Sequence, residues 1–257
     1  MLPLSPRSSD DPVAPLHRSV QDLVARRRLR NVDLTLGDIT ATALEVVPRA
    51  AGAGITCCRD DRVEAGHATD EHVGRLDGYQ AELEEGPGVT ALRGDPADGP
   101  VVAVDLGGVD SYRWPRFAPL AAHLGYRSIL SIHLAAANGR PRRALNLYAT
   151  EPQAFDDDHR LVATAFAAQA AALLHGAEEA QHLIRALESR DVIAQAKGIL
   201  MERFGITDEA AFAMLRTSSQ ETNMKLLSVA SWLVGEALRR NEETTADGQQ
   251  SSPGIAT

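Results

Sequence analysis

The chain has 257 residues, 44% hydrophobic but only 4% aromatic, with 26 basic against 35 acidic residues for a formal net charge of −9. That length suits one large or two modest globular domains. No window approaches the roughly 18 uninterrupted apolar residues of a membrane span, and Met1-Leu2-Pro3-Leu4-Ser5-Pro6 lacks the apolar core of a signal peptide, so a cytoplasmic protein with no membrane association is expected.

The two cysteines, Cys57 and Cys58, are adjacent and build neither a disulfide framework nor a CxxC zinc site. Bulk acidity argues against broad coating of nucleic acid and leaves room for a local basic site. Residues 1–31 are read as a tail: a Pro-, Ser- and Asp-rich start with too few apolar residues to offset ordering entropy, then a short amphipathic stretch at Val20, Leu23 and Val24. The cluster Arg26-Arg27-Arg28-Leu29-Arg30 is either a contact for a polyanion or a solvated helix end whose cations complement the dipole. A helix through Leu36, Ile39, Thr40, Ala43, Leu44 and Val47 is expected to stop at Pro48.

Strands are predicted at residues 54–58, 63–69, 101–106, 128–135 and 143–150, each short, β-branched or alternating, and bounded by Gly, Pro or Asp. Between them, residues 72–83 and 114–123 read as short helices or structured loops, and 156–174 as a long helix capped by Asp156. The last proline before Pro253 is Pro152, and the Pro-free run between them is rich in helix formers. Helix, strands, then helices predict an α+β fold with an antiparallel sheet followed by an all-α part.

Gln80, Glu85-Gly86-Pro87-Gly88, Ala91-Leu92, Tyr112-Arg113-Trp114-Pro115-Arg116-Phe117, Gly125-Tyr126-Arg127-Ser128-Ile129-Leu130, Ala144-Leu145-Asn146-Leu147-Tyr148 and Ala154-Phe155 together resemble the GAF domains of actinobacterial sensor proteins. The resemblance implies a sensor domain over 32–176, with room for a small-molecule signal of unspecified identity and no expected cofactor. Such domains often carry Cys after the Gly-Pro pair; Gly88 stands here, so thiol chemistry at that point is absent.

Further on, a helix through Leu183, Leu187 and Ile193 is expected to run to Phe204 and close at Gly205, with Ile206 making the accompanying apolar contact. Thr207 then caps a second helix with Asp208 and Glu209 in its first turn, burying Ala211, Phe212 and Leu215 and fading at Ser218-Ser219. A third is expected from Thr222-Asn223, with Leu226, Val229, Ala230, Leu233 and Ala237 on one face. On the first helix, Ile193, Ala196, Leu200 and Phe204 gather as core, while Arg190, Ala194, Lys197 and Met201 line an adjoining stripe edged by Gly198. That stripe suits close approach by a phosphate backbone or an unstacked base; alternatively, Ala194 and Gly198 admit a neighbouring helix and the cations are solvated.

The run Ala186-Leu187-Glu188-Ser189-Arg190-Asp191-Val192-Ile193-Ala194-Gln195-Ala196-Lys197-Gly198-Ile199-Leu200-Met201-Glu202-Arg203-Phe204-Gly205-Ile206 closely resembles the signature of ANTAR domains, and the likeness continues through Ala211-Phe212, Leu215-Arg216, Ser219, Asn223, Lys225-Leu226 and Val229-Ala230. The resemblance implies an RNA-binding domain over 177–240, followed by a disordered tail over 241–257. ANTAR proteins stabilise a paired-hairpin RNA so that a terminator does not form. Carried over as RNA-surface or surface-supporting positions are Arg190, Gln195, Ala196, Lys197, Gly198, Met201, Arg203, Arg216, Ser219, Asn223 and Lys225. Of these, Ala196 projects to the buried side and is expected to shape the surface rather than touch RNA.

A helical connector over 170–187 suits pairing with a second copy as a coiled coil, giving a homodimer with two RNA-binding bundles. Asp156-Asp157-Asp158-His159 reads as a helix cap rather than a metal cluster, and His67, His72, His123 and His133 have no second ligand at diagnostic spacing, so no metal site is expected. No constellation for catalysis is present. Trp232 either stacks on a base or packs beneath the long helix or in a dimer contact. The sequence thus predicts a non-enzymatic, signal-responsive regulator binding tandem hairpins of nascent transcripts for antitermination; the rival is a sensor or adaptor whose helical bundle docks a protein partner.

Overall fold

The computed structural model describes residues 31–134 and 142–250. The elements, in chain order, are α1 (Val32–Val46), β1 (Gly52–Arg59), β2 (Arg62–Gly66), α2 (Glu71–Leu83), α3 (Pro87–Arg93), a 3-10 turn (Pro96–Asp98), β3 (Val101–Ala103), α4 (Phe117–His123), β4 (Ser128–Leu134), β5 (Arg142–Ala149), α5 (Asp157–Phe204), α6 (Asp208–Thr222) and α7 (Leu226–Gln250). The chain divides between Gln181 and His182 into two compact units. No described helix is long and apolar enough to cross a membrane. The expected amphipathic stretch at Val20–Val24, the Arg26–Arg30 cluster and residues 251–257 lie outside the described residues.

The first unit holds a five-stranded antiparallel sheet of order β2-β1-β5-β4-β3. Alternation along β5 sends its side chains to two different cores. Leu145, Leu147 and Ala149 face α1 and α5, where Ile39, Phe155, Phe166 and Ala170 are almost wholly buried. Ala144, Asn146 and Tyr148 face the layer of α2, α3 and α4, whose Leu76, Phe117 and Ala121 close the other core. The register stacks Ile55, Leu145 and Ile132 in a row across three strands, so a slip of β5 by one residue would turn Leu145 away from this core and towards the opposite face.

Local chemistry sets several boundaries that sequence patterning places differently. β3 ends at Ala103 rather than at 106 because the Asp110 carboxylate accepts from Val104 N–H at 2.6 Å and Asp105 N–H at 3.0 Å, drawing the backbone out of the ladder. α4 starts at Phe117, not 114, where Glu85 Oε1 accepts from Arg116 and Phe117 N–H and acts as a cap supplied from another element. Gly86-Pro87-Gly88, to which sequence patterning assigns no element, opens the helix α3: Gly86 adopts φ 140°, and Pro87 takes a first-turn position where its missing N–H costs nothing. Asn31, placed in the tail by sequence, caps α1 by accepting from Leu34 N–H. The helix expected over 156–174, the connector and the first helix of the C-terminal module form the single 48-residue α5, with Asp156 accepting from His159 N–H at its start.

The second unit is a three-helix bundle of the end of α5 with α6 and α7. Its core is small: Ala196, Ala211 and Ala230 are fully buried beside Leu200, Leu215 and Val229. Alanines at the three-way contact let the helix backbones approach closely. Gly205 adopts φ 63° and returns its N–H to Met201 O, and Thr207 caps α6 through Ala210 N–H. Two aromatic residues expected in this core are outside it. Phe204 is 55% exposed in the last turn of α5, with the Arg203 guanidinium 5.9 Å from its ring centre, and Phe212 is 41% exposed, rotated off the Ala211–Leu215 face. α6 runs past Ser218-Ser219 to Thr222, where Asn223 turns left-handed and Met224 N–H reaches back to Ser219 O in a Schellman-type ending. α7 therefore begins at Leu226, and it continues to Gln250, past the position at which a tail was expected.

Candidate functional site

Most of the quoted residues of the first unit are consumed by the fold. Arg127 grips Asp105 in a two-point pair at 2.7 and 3.0 Å, Trp114 Nε1 donates to Thr90 Oγ1, and Arg113 lies 4.2 Å above the Trp114 ring. On the α2 face of the sheet, however, a chain of polar side chains replaces apolar core. Asp77 Oδ1 accepts from the Tyr148 hydroxyl at 2.5 Å and from Asn146 Nδ2 at 2.8 Å; Gln80 Nε2 donates to the Tyr148 oxygen at 2.7 Å, and Gly88 N–H donates to Gln80 Oε1. Ser131 and Thr56 extend the chain through Asn146.

Asp77, Gln80, Ser131, Asn146, Tyr148 and Thr56 are all fully buried. No cation offsets the Asp77 charge among its hydrogen-bond partners, and its second oxygen, Oδ2, has no partner among the described residues. Burial outweighs the donors from Tyr148, Asn146 and Gln80 and pushes the Asp77 carboxyl from 3.8 to about 7. The Tyr148 hydroxyl is held well above its ordinary value by burial and the neighbouring carboxylate, so it stays a donor. Gly88 is required here, since a Cβ would come within 2.6 Å of Asn146 Oδ1. Asp77 went unnoticed in sequence although its signal is present: Val73, Leu76, Asp77 and Gln80 recur at i, i+3, i+4 and i+7, which places two polar residues on the inward stripe of α2.

In the second unit the eleven expected residues do not share one place. Arg190, Lys197 and Met201 share one face of α5; Arg190 is exposed, Met201 packs against the small core, and Lys197 Nζ pairs with Asp208 Oδ1 of α6 at 2.6 Å with its side chain 21% exposed. Gln195 and Gly198 lie elsewhere on the helix, lining an open groove of about 450 Å³ with Ile199, Glu202 and the Val234, Ala237 and Leu238 of α7. Ala196 is fully buried, while Arg203 and Arg216 are exposed. Ser219, Asn223 and Lys225 build the α6–α7 turn: Ser219 Oγ donates to Met224 O, Asn223 supplies the left-handed cap, and the Lys225 carbonyl accepts from Ser228 and Val229 N–H. The Asn223 and Lys225 side chains are left exposed.

Among the described residues no group of three or more metal-ligating side chains comes together. The Asp156 and His159 side chains pair with each other at the start of α5.

A sheet-based domain with a buried polar network is followed in sequence by a helical bundle with cations on one helix. The family model of the GAF domain matches residues 30–175, and that of the ANTAR domain matches residues 181–234. The chain belongs to the GAF domain family, and its GAF domain is followed by an ANTAR domain. A GAF domain marks a sensor, and an ANTAR domain marks RNA-binding antitermination regulation. No curated protein matches the chain.

Among solved structures, the photosensory core module of a Stigmatella aurantiaca phytochrome is 13% identical over 88% of this chain and 47% of its own, with a TM-score of 0.53. A bacteriophytochrome from R. palustris is 12% identical over 82% of this chain and 48% of its own, with a TM-score of 0.51. The chain thus spans about half the length of each, and at such identities the likeness is one of fold alone. A free methionine-R-sulfoxide reductase from Neisseria meningitidis is 16% identical over 72% of this chain and 99% of its own, with a TM-score of 0.48.

Proposed function

We propose that this chain is a cytoplasmic, signal-responsive regulator that binds tandem hairpins in nascent transcripts, working as a homodimer, and so prevents termination. The observation that carries the reading is the face of α5 on which Arg190 is exposed and Lys197 stands one heptad further on, within an otherwise near-neutral domain of an acidic chain. Eight basic and nine acidic residues lie between Glu178 and Arg240. This is the part of the molecule least repelled by a polyanion. The Lys197 ammonium is held by Asp208, so a phosphate gains Lys197 only by displacing that carboxylate.

Support for dimerisation comes from Leu183 and Leu187, four residues apart on α5 and 65% and 63% exposed. A second copy that covers them doubles the RNA-binding bundles and raises the effective concentration for the second hairpin. A signal at the GAF domain, a small molecule or a change at the Asp77 network, then acts by altering the fraction of competent dimers.

Binding of a synthetic two-hairpin RNA tests the site. Lys197→Glu should weaken binding about ten-fold or more, and Asp208→Asn should strengthen it a few-fold by releasing Lys197. Equal affinities for the unaltered chain and Lys197→Glu would remove the site assignment. A second reading, an adaptor whose bundle docks a protein partner, is favoured by the groove between α5 and α7, lined largely by apolar groups. A partner held there would bind with little dependence on salt.

A further inference from the structure

We propose that Trp232 is a base-stacking residue of the ANTAR domain, holding an unpaired RNA base on the outer face of α7. The inference rests on the RNA-binding reading and adds to it a residue that is not among the eleven positions carried over from the ANTAR signature.

The chain has two tryptophans. Trp114 is 4% exposed and hydrogen bonded to Thr90, whereas Trp232 is 61% exposed on a helix whose Val229 and Ala230 already fill the bundle core. Tryptophan is largely buried on average, and a ring this exposed, with its indole face open, offers a surface on which a ligand can stack. At 100° per residue, Lys225, Ser228, Trp232 and Arg239 fall within one narrow stripe, well away from the groove-lining Val234, Ala237 and Leu238.

Lys225 and Arg239 stand seven residues before and after Trp232, about 10 Å along the helix in each direction. Glu236, the stripe's acidic neighbour, pairs with Arg239 at 2.7 Å and Arg240 at 3.2 Å, and the three groups together keep one positive charge beside the ring. An aromatic plane between two cations is the arrangement that single-stranded nucleic acid uses, with a base on the ring and phosphates on the flanks. A second copy of the chain fits worse. The ring's neighbours on the stripe are serine, glycine and charge rather than an apolar patch, and a two-fold antiparallel pairing would set Lys225 of one copy near Arg239 of the other.

The test uses the full-length chain and a two-hairpin RNA enriched on it from a pool with randomised loops. Trp232→Ala should weaken binding roughly 5- to 150-fold, with Trp232→Leu similar and Trp232→Phe, which keeps an aromatic face, close to the unaltered chain. RNA should quench tryptophan fluorescence in the unaltered chain, and Trp232→Phe should abolish the quench because only buried Trp114 remains. The inference is overturned if Trp232→Ala binds RNA as tightly as the unaltered chain, or if it alters the sedimentation of the free protein and not RNA affinity. Sensitivity to Lys197→Glu without sensitivity to Trp232→Ala leaves the RNA reading standing and removes this one. Failure of the unaltered chain to bind any RNA removes both.

Discussion

At Asp77 a carboxyl is buried without an ionic partner, and its protonation sets part of the stability of the GAF domain. Its folded value near 7 lies above its ordinary 3.8, so the folded chain holds a proton that the unfolded chain releases. The sign follows from linkage: stability is fullest below about pH 4, where both states are protonated, and it falls as pH rises towards 7. The loss across that window amounts to about 4 kcal/mol. Asp77→Asn, which keeps an accepting oxygen for Tyr148 and Asn146, should remove this slope, so the variant should gain on the unaltered chain in urea unfolding at pH 7 and match it more closely at pH 4. An unchanged slope would place the titrating group elsewhere. Lys197 illustrates a different balance: with Asp208 63% exposed, the pair is worth little to stability and remains open to competition by a phosphate.

At the scale of elements, α5 carries the longest reach of argument. Sequence patterning recognises its two halves and the helical character of the segment between them, and the absence of proline between Asp157 and Phe204 leaves no break in the hydrogen-bond ladder, so they merge. Within the first unit, α5 is tied to β5 by Arg143 and Glu178, paired at 2.7 Å with side chains only 7% and 17% exposed. Glu178→Ala leaves a buried guanidinium unpaired and should cost about 3–5 kcal/mol in thermal or urea unfolding, while replacing both residues with Met and Leu should recover most of the loss. Retained stability in Glu178→Ala would show that the pair contributes nothing.

What periodicity shows well is whichever element has one wet face, such as α1 and α6, while the central strands, buried on both faces, show as short β-branched or apolar runs between turn residues. Periodicity shows less where a side chain from outside the element fixes the backbone, as Glu85 does in starting α4 and Asp110 in ending β3. The candidate RNA stripe was legible because its cations recur at helical spacing. The Asp77 network was hidden because inward polar residues become visible as a cluster only when β5 brings Asn146 and Tyr148 beneath α2.

For the whole molecule, the sequence order of a sensory sheet domain followed by a helical RNA-binding domain joins one input to one output. The net charge of −9 disfavours RNA over most of the surface, and under the proposed reading recognition falls to the near-neutral ANTAR domain and depends strongly on ionic strength. The most direct measurement is the affinity of the chain, with both its domains, for a two-hairpin RNA across a salt series. The account predicts tight binding at low salt, a steep linear fall of log affinity with log salt, and a slope lowered by about one for Lys197→Glu. Binding that is absent at low ionic strength, or that does not change with salt, would contradict it.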